Sequence, residues 1–276
     1  MEEQRSPAGN RRSVSRRRRE VLLTPRDQTV LEMAAEHRVI LPSHAAALLG
    51  VTPPTAGARL RELVGAGYLA RHRIFAGQPA CFQITRRGLD VIGSGLPRPR
   101  VDLRALDHDV GLAWVWLAAR DGAFGAMSEV LSERTLRSRD GKRLGIGASG
   151  ADPEPSGGSG PLGIRLGGTD PHGRARLHYP DLLLITPEGR RVAVELEFSS
   201  KGQARLDRIL AGYGSDARTD AVLYLVDRPA LAQTIRSRAR RLGLSSLVHV
   251  QWVRQPVTRP TGTIRAAERS PAARER

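Results

Sequence analysis

Cys81 is the only cysteine in 276 residues. That excludes a disulfide framework and any zinc site built on cysteine pairs, and it suits a reducing compartment. Aromatic side chains are scarce, at 4% of the chain, so the cores must be assembled from Leu, Val, Ala and Ile. No apolar run approaches the ~20 residues that span a bilayer. The first residues carry charge without the apolar stretch of a signal peptide. No long amphipathic helix sets Trp or Phe on an apolar face, which argues against a membrane-surface protein. The expectation is a soluble, cytoplasmic protein with no membrane partner. Lysine is nearly missing too, with only Lys142 and Lys201. Arginine carries the positive charge, a usage that a GC-rich genome explains and that suits bidentate contacts to phosphate.

What is present is bulk and charge. The chain is 40% hydrophobic, and its length suggests two domains. Its formal net charge of +16 points to a polyanionic partner, of which nucleic acid is the commonest. Residues 1–23 read as a disordered basic arm containing Arg16-Arg17-Arg18-Arg19. Residues 24–93 form a patterned unit. Residues 94–104 are a Pro- and Gly-broken linker. Residues 105–253 alternate helix and strand patterns around a Gly-, Pro- and Arg-rich stretch, 138–176, that reads as a disordered insertion. Residues 254–276 are a polar tail.

In the first unit, Thr24-Pro25 followed by Asp27 and Gln28 predicts an N-capped helix to about His37. Pro42 opens a short second helix that Gly50 stops, and Thr52 caps a third through Arg59, Leu60, Leu63 and Val64. A short helix, a glycine turn and a second capped helix make a helix-turn-helix, whose later helix enters the major groove. Leu60, Leu63 and Val64 then face the core, while Thr55, Ala58, Arg59 and Glu62 flank the groove, with Arg59 the foremost contact to base or phosphate. Two strands around Arg71-His72-Arg73 and Cys81-Phe82-Gln83-Ile84 form a wing. Arg71 and Arg73 on that wing suit the DNA backbone or minor groove. Thr85-Arg86-Arg87-Gly88 starts a closing helix, and the whole order resembles winged-helix regulators. The competing use of such a unit is protein contact.

In the second unit, Pro187-Glu188-Gly189 separates two β-patterned runs, a hairpin signal. Antiparallel counting puts Asp181 opposite Glu195. Alternation puts Glu195 and Glu197 on one face, with Val192, Val194, Leu196 and Phe198 on the other. Three converging carboxylates raise one another's pKa unless a cation lies between them, and their hard oxygens suit Mg²⁺ or Mn²⁺. Asp181, Glu195 and Glu197 are therefore the candidate metal ligands. Lys201, at the start of a helix with Leu206, Ile209, Leu210 and Tyr213 on its core face, joins them as a candidate catalytic residue. Glu129 or Glu133 could add a ligand. Arg205 or Arg208 could instead neutralise the acids. Asp107-His108-Asp109 and His178 are weaker candidates, better read as surface or packing groups.

Pro180-Asp181 followed by Glu195-Leu196-Glu197 resembles the Pro-Asp…(Asp/Glu)-x-Lys nuclease superfamily, with Glu197 standing where that motif has lysine. The resemblance implies an α+β chain, an N-terminal winged helix-turn-helix followed by a restriction-endonuclease-like αβββαβ domain. Over residues 24–253, with Leu106-Asp107-His108 and the Arg205…Tyr213 helix, the chain resembles the replication-relaxation family of plasmids and other mobile elements. That implies a double-stranded DNA-binding protein involved in replication or relaxation. Two uses of the second domain stay open: a Mg²⁺-dependent DNA endonuclease that nicks or cuts, or a non-enzymatic regulator or replication accessory whose degenerate nuclease-like domain serves partner contact or homodimerisation.

Overall fold

The computed structural model describes residues 21–74, 77–143, 160–171 and 173–254. The basic run Arg16–Arg19, most of the arm, the middle of the Gly-rich insertion and the tail from residue 255 lie outside them. The described chain is a mixed α and β protein, and none of its helices is long and apolar enough to cross a membrane.

Three helices come first: α1 (Pro25–Glu36), α2 (Pro42–Leu49) and α3 (Pro53–Gly65). Local chemistry sets their ends. Thr24 and Asp27 form a reciprocal capping box at α1. Gly50 ends α2 at φ 64°, where a side chain would be strained. The Thr52 hydroxyl accepts from the Thr55 amide at the start of α3. The strands β1 (Leu69–His72) and β2 (Cys81–Ile84) pair antiparallel, and Ile40 bridges Phe82 as a further rung. Cys81 is buried there. Helix α4 (Arg86–Val91) closes the unit.

The rest is built on one five-stranded sheet. Helix α5 (Leu106–Arg120) leads to β3 (Glu129–Ser132), α6 (Glu133–Arg143), the hairpin β4 (Ile164–Thr169) and β5 (Ala175–His178), then β6 (Leu182–Ile185) and β7 (Arg191–Glu197). Helix α7 (Gln203–Gly214), β8 (Ala221–Val226), α8 (Pro229–Arg241) and β9 (Val248–Trp252) complete it. The sheet order is β3-β6-β7-β8-β9. The first three strands run antiparallel, and β7, β8 and β9 run parallel.

Strand β3 stops at Ser132, because Ser132 caps α6: its hydroxyl accepts from the Thr135 amide. One reading changes. The stretch expected as a structureless insertion contributes the end of α6 and the β4–β5 hairpin. That hairpin packs on α7, with Ile164 in the α7–α8 core. Low apolar content concealed it, since few of its residues are buried.

The two units share a core. Leu31, Leu60 and Phe82 of the first belong to one buried cluster with Leu112, Trp116 and Leu196 of the second, and each such side chain stabilises by about 1.5–3 kcal/mol. Polar contacts reinforce the seam. Arg38 pairs with Asp109 at 3.1 Å and Glu133 at 3.0 Å, and Glu36 accepts from the Ser132 and Thr135 hydroxyls. Residues 94–104 lie against this seam, with Leu96 buried, and their carbonyls are held by Arg134 at Pro97 and Gln83 at Pro99.

Candidate functional site

Helix α3 turns Ala56, Leu60 and Leu63 into the core and leaves Thr55, Ala58, Arg61 and Glu62 exposed. Its outer side walls a groove of about 670 Å³ with Val21 and Leu22. Arg59 is committed elsewhere. Its Nε and Nη2 donate to the two Asp27 carboxylate oxygens at 2.7 and 2.6 Å, Nη1 to Glu62 at 2.5 Å, and Nη2 also to the Leu22 carbonyl at 3.2 Å. Asp27 is 2% exposed. Burial opposes its charge, but Arg59 and Thr24 hold its carboxyl below the usual range. Arg59 thus staples α3 to α1. Arg61, which the sequence reading passed over, is the arginine on the open side, as its place one residue beyond the inward Leu60 would have indicated. Arg71 and Arg73 are exposed on β1 and just after it. Among the described residues, no carboxylate pairs with Arg61, Arg71 or Arg73.

The acidic residues meet where β6 begins and β7 ends. The Thr186 amide donates to the Arg190 carbonyl across the turn, and Leu182 pairs with Val194, so Asp181 lies one step further, opposite Glu195. Strand alternation sends Val194 and Leu196 into the α5-side core and leaves Glu195 and Glu197 on the side of α7. Both glutamates are buried.

Each carboxylate has protein partners. Asp181 Oδ2 accepts from the Leu196 amide at 2.8 Å and lies 3.1 Å from His108 Nε2. Glu195 Oε1 is 2.5 Å from both His178 Nε2 and the Tyr213 hydroxyl, while Lys201 Nζ lies 3.5 Å from Oε2. Lys201 also pairs with Glu197 at 2.7 Å. Burial works against charge throughout. Even so, His178, Lys201 and Tyr213 bring Glu195 down to about 2, and Asp109 and Asp181 lift His108 to about 10. Burial wins at Glu197, whose pKa is raised. It also leads the rise at Tyr213, and the carboxylates lift Lys201 further above its ordinary value.

The other candidates are placed apart. Glu129 is exposed and pairs with Arg139. Glu133 pairs with Arg38 and Arg137. Arg208 donates to the Ala204 carbonyl, and the groups that meet the acids are Lys201, His108 and His178 rather than Arg205 or Arg208. The histidines were undervalued because the contact needs α5 and β5 to converge on one sheet end, 73 residues apart for the His108–Asp181 pair.

The donor set does not fit a divalent ion as it stands. Among the described residues, no group of three or more His, Cys, Asp or Glu is spaced to hold a metal. The oxygens a hard cation would use are aimed at an ammonium, two imidazoles and a phenol. Tyr224, opposite Glu195 on β8, has a buried hydroxyl without a hydrogen-bond partner among the described residues. Neither a protein-family model nor a curated protein matches the chain.

Proposed function

We propose that this is a double-stranded DNA-binding protein whose first unit is a winged helix, with α3 in the major groove and the β1–β2 hairpin against the backbone. The observation that carries this is the outer side of α3, where Thr55, Ala58 and Arg61 stand in solvent while the chain as a whole carries a net charge of +16. Arg71 and Arg73 extend the basic face onto the hairpin. Arg59 acts in this reading by fixing the pose of α3. Fluorescence anisotropy with random duplex DNA tests it. Wild type binds with a steep salt dependence, and Arg61→Ala, Arg71→Ala and Arg73→Ala each lower the salt slope by about 1. Equal affinity and slope in all three variants would end the proposal.

For the second unit we favour the non-enzymatic use: a nuclease-like αβββαβ domain serving a replication or regulatory protein of a mobile element, with homodimerisation on repeated sites one such service. The support is the strand order with β3, β6 and β7 antiparallel and β8 parallel to β7, together with carboxylates already partnered within the chain. Mg²⁺-dependent cleavage is the second reading, favoured by Asp181 standing opposite Glu195 with Lys201 close by. Supercoiled plasmid incubated with Mg²⁺ decides: nicking lost in Asp181→Ala establishes cleavage, and identical behaviour of the two proteins removes it.

A further inference from the structure

A crevice of about 570 Å³ opens at the seam between the two units. Leu41 and Ser43 at the start of α2 form one side of it. Val110, Trp114 and Ala118 of α5 form its floor, and the ends of β7 and β8 close it with Phe198 and Leu225. Phe124 and Val253 complete the apolar wall, and Arg254 stands at the rim.

Three facts set the chemistry of an occupant. The chain has only eleven aromatic residues, three Trp, four Tyr and four Phe, and Trp114, Phe124 and Phe198 all face this one crevice. The polar groups that line it are few, Ser43 and Arg254, and the single charge is positive. Its size falls within the roughly 300–1,000 Å³ of small-molecule sites, which favour domain junctions and apolar walls with a few polar groups. Gly111 explains how the wall closes: a Cβ there would lie 2.9 Å from the Phe198 ring, so only glycine lets that ring lie against α5.

We propose that this crevice binds a small aromatic acid, its rings between Trp114, Phe124 and Phe198 and its anionic group at Arg254. Trp114 also touches the first unit directly. Its ring meets the His44 imidazole of α2 edge to face, with centroids 4.6 Å apart. An occupant therefore bears on the helix that precedes α3 in the helix-turn-helix, and would bias DNA binding. That second clause rests on the DNA-binding reading above, whereas ligand binding itself does not.

The full-length protein is titrated with 8-anilinonaphthalene-1-sulfonate, an aromatic anion that fluoresces in apolar sites, and with its neutral analogue N-phenyl-1-naphthylamine. A single saturable site is expected, displaced by 1-naphthoate. Ala118→Trp, filling the crevice from a half-exposed helix position, should weaken the anion at least tenfold with the melting temperature preserved. Arg254→Glu, on the surface, should weaken the anion tenfold and leave the neutral probe unchanged. Absence of saturable binding overturns the proposal, as from a crevice filled by residues 255–276 or a second copy. So does binding that neither variant changes. DNA affinity measured with and without 1-naphthoate then tests the coupling separately: a shift supports it, and no shift with the ligand bound removes the coupling while leaving the site.

Discussion

Lys201 Nζ lies 2.7 Å from Glu197 Oε2, across four residues that carry the chain from the end of β7 towards α7. The same ammonium reaches Glu195, so two buried carboxylates share one cation at the position where a metal was expected. Lys201→Met should leave both acids facing each other without it. Removing one partner of a buried pair costs about 3–5 kcal/mol, and the 19% exposure of Lys201 argues for the lower end. The variant's freed oxygens should also gain affinity for a hard cation. Thermal denaturation with and without Mn²⁺ reads both effects: wild type unmoved by Mn²⁺ or by chelator, and the variant less stable but raised by Mn²⁺. A wild type stabilised by Mn²⁺, and no longer so in Glu195→Gln, would show that the lysine yields to metal.

Arg59 should behave as a structural residue. Arg59→Ala leaves the buried Asp27 carboxylate without its main partner, a loss of about 2 kcal/mol or more. Asp27→Asn should cost a similar amount, and the double variant less than the sum of the two, because the interaction can be lost only once. Urea denaturation of the cycle measures this. Additive losses would mean that Arg59 and Asp27 do not support each other.

Stability should peak near neutral pH. Burial lowers His37 and His44 to about 3, so both stay neutral in the fold while the unfolded chain binds their protons below about 6.5. Their contribution is complete above that pH and is lost as pH falls towards 3, with a slope of about 2.7 kcal/mol per pH unit for two protons. His108 has the opposite sign. Raised to about 10, it contributes fully below about 6.5 and loses that contribution as pH rises through 10, at about 1.4 kcal/mol per unit. Unfolding free energies across pH 4.5 to 10 test both limbs. His37→Gln should flatten the acid limb, and His108→Gln the alkaline one.

Gly88→Ala should be among the most damaging single-atom additions. A Cβ at Gly88 would lie 2.3 Å from the Tyr68 carbonyl oxygen and 2.8 Å from Ile84, so α4 would have to move off the β1–β2 hairpin. Overpacking of this kind costs about 1–3 kcal/mol. Gly65→Ala is the control, because nothing lies within 4 Å of its added atom and alanine favours a helix. Paired melting curves check the contrast.

The local signals were legible because they are local. Thr24, Gly50 and Thr52 each satisfy or redirect backbone groups within three or four residues, so the first three helices could be bounded from the sequence. Pro187-Glu188-Gly189 likewise set the hairpin register, and counting from it put Asp181 opposite Glu195 correctly. Strand alternation then assigned Val194 and Leu196 to one face and the two glutamates to the other.

What those residues meet was decided only by tertiary structure. Periodicity gave Arg59 a place beside the groove, but the buried Asp27 32 residues away claims it. Three carboxylates on one face are compatible with a metal or with hydrogen-bonding and ionic partners from the chain itself. The choice depends on His108 arriving from α5, on His178 arriving from a hairpin that composition had hidden, and on Lys201 turning back from the approach to α7. The shared core of the two units was equally invisible in the chain, because a Pro-rich connection looks the same whether it swings free or lies along a seam. Backbone capping and strand alternation act over a few residues and leave their mark in order. Charge pairing and packing act through space, between residues whose separation along the chain carries no trace of their contact.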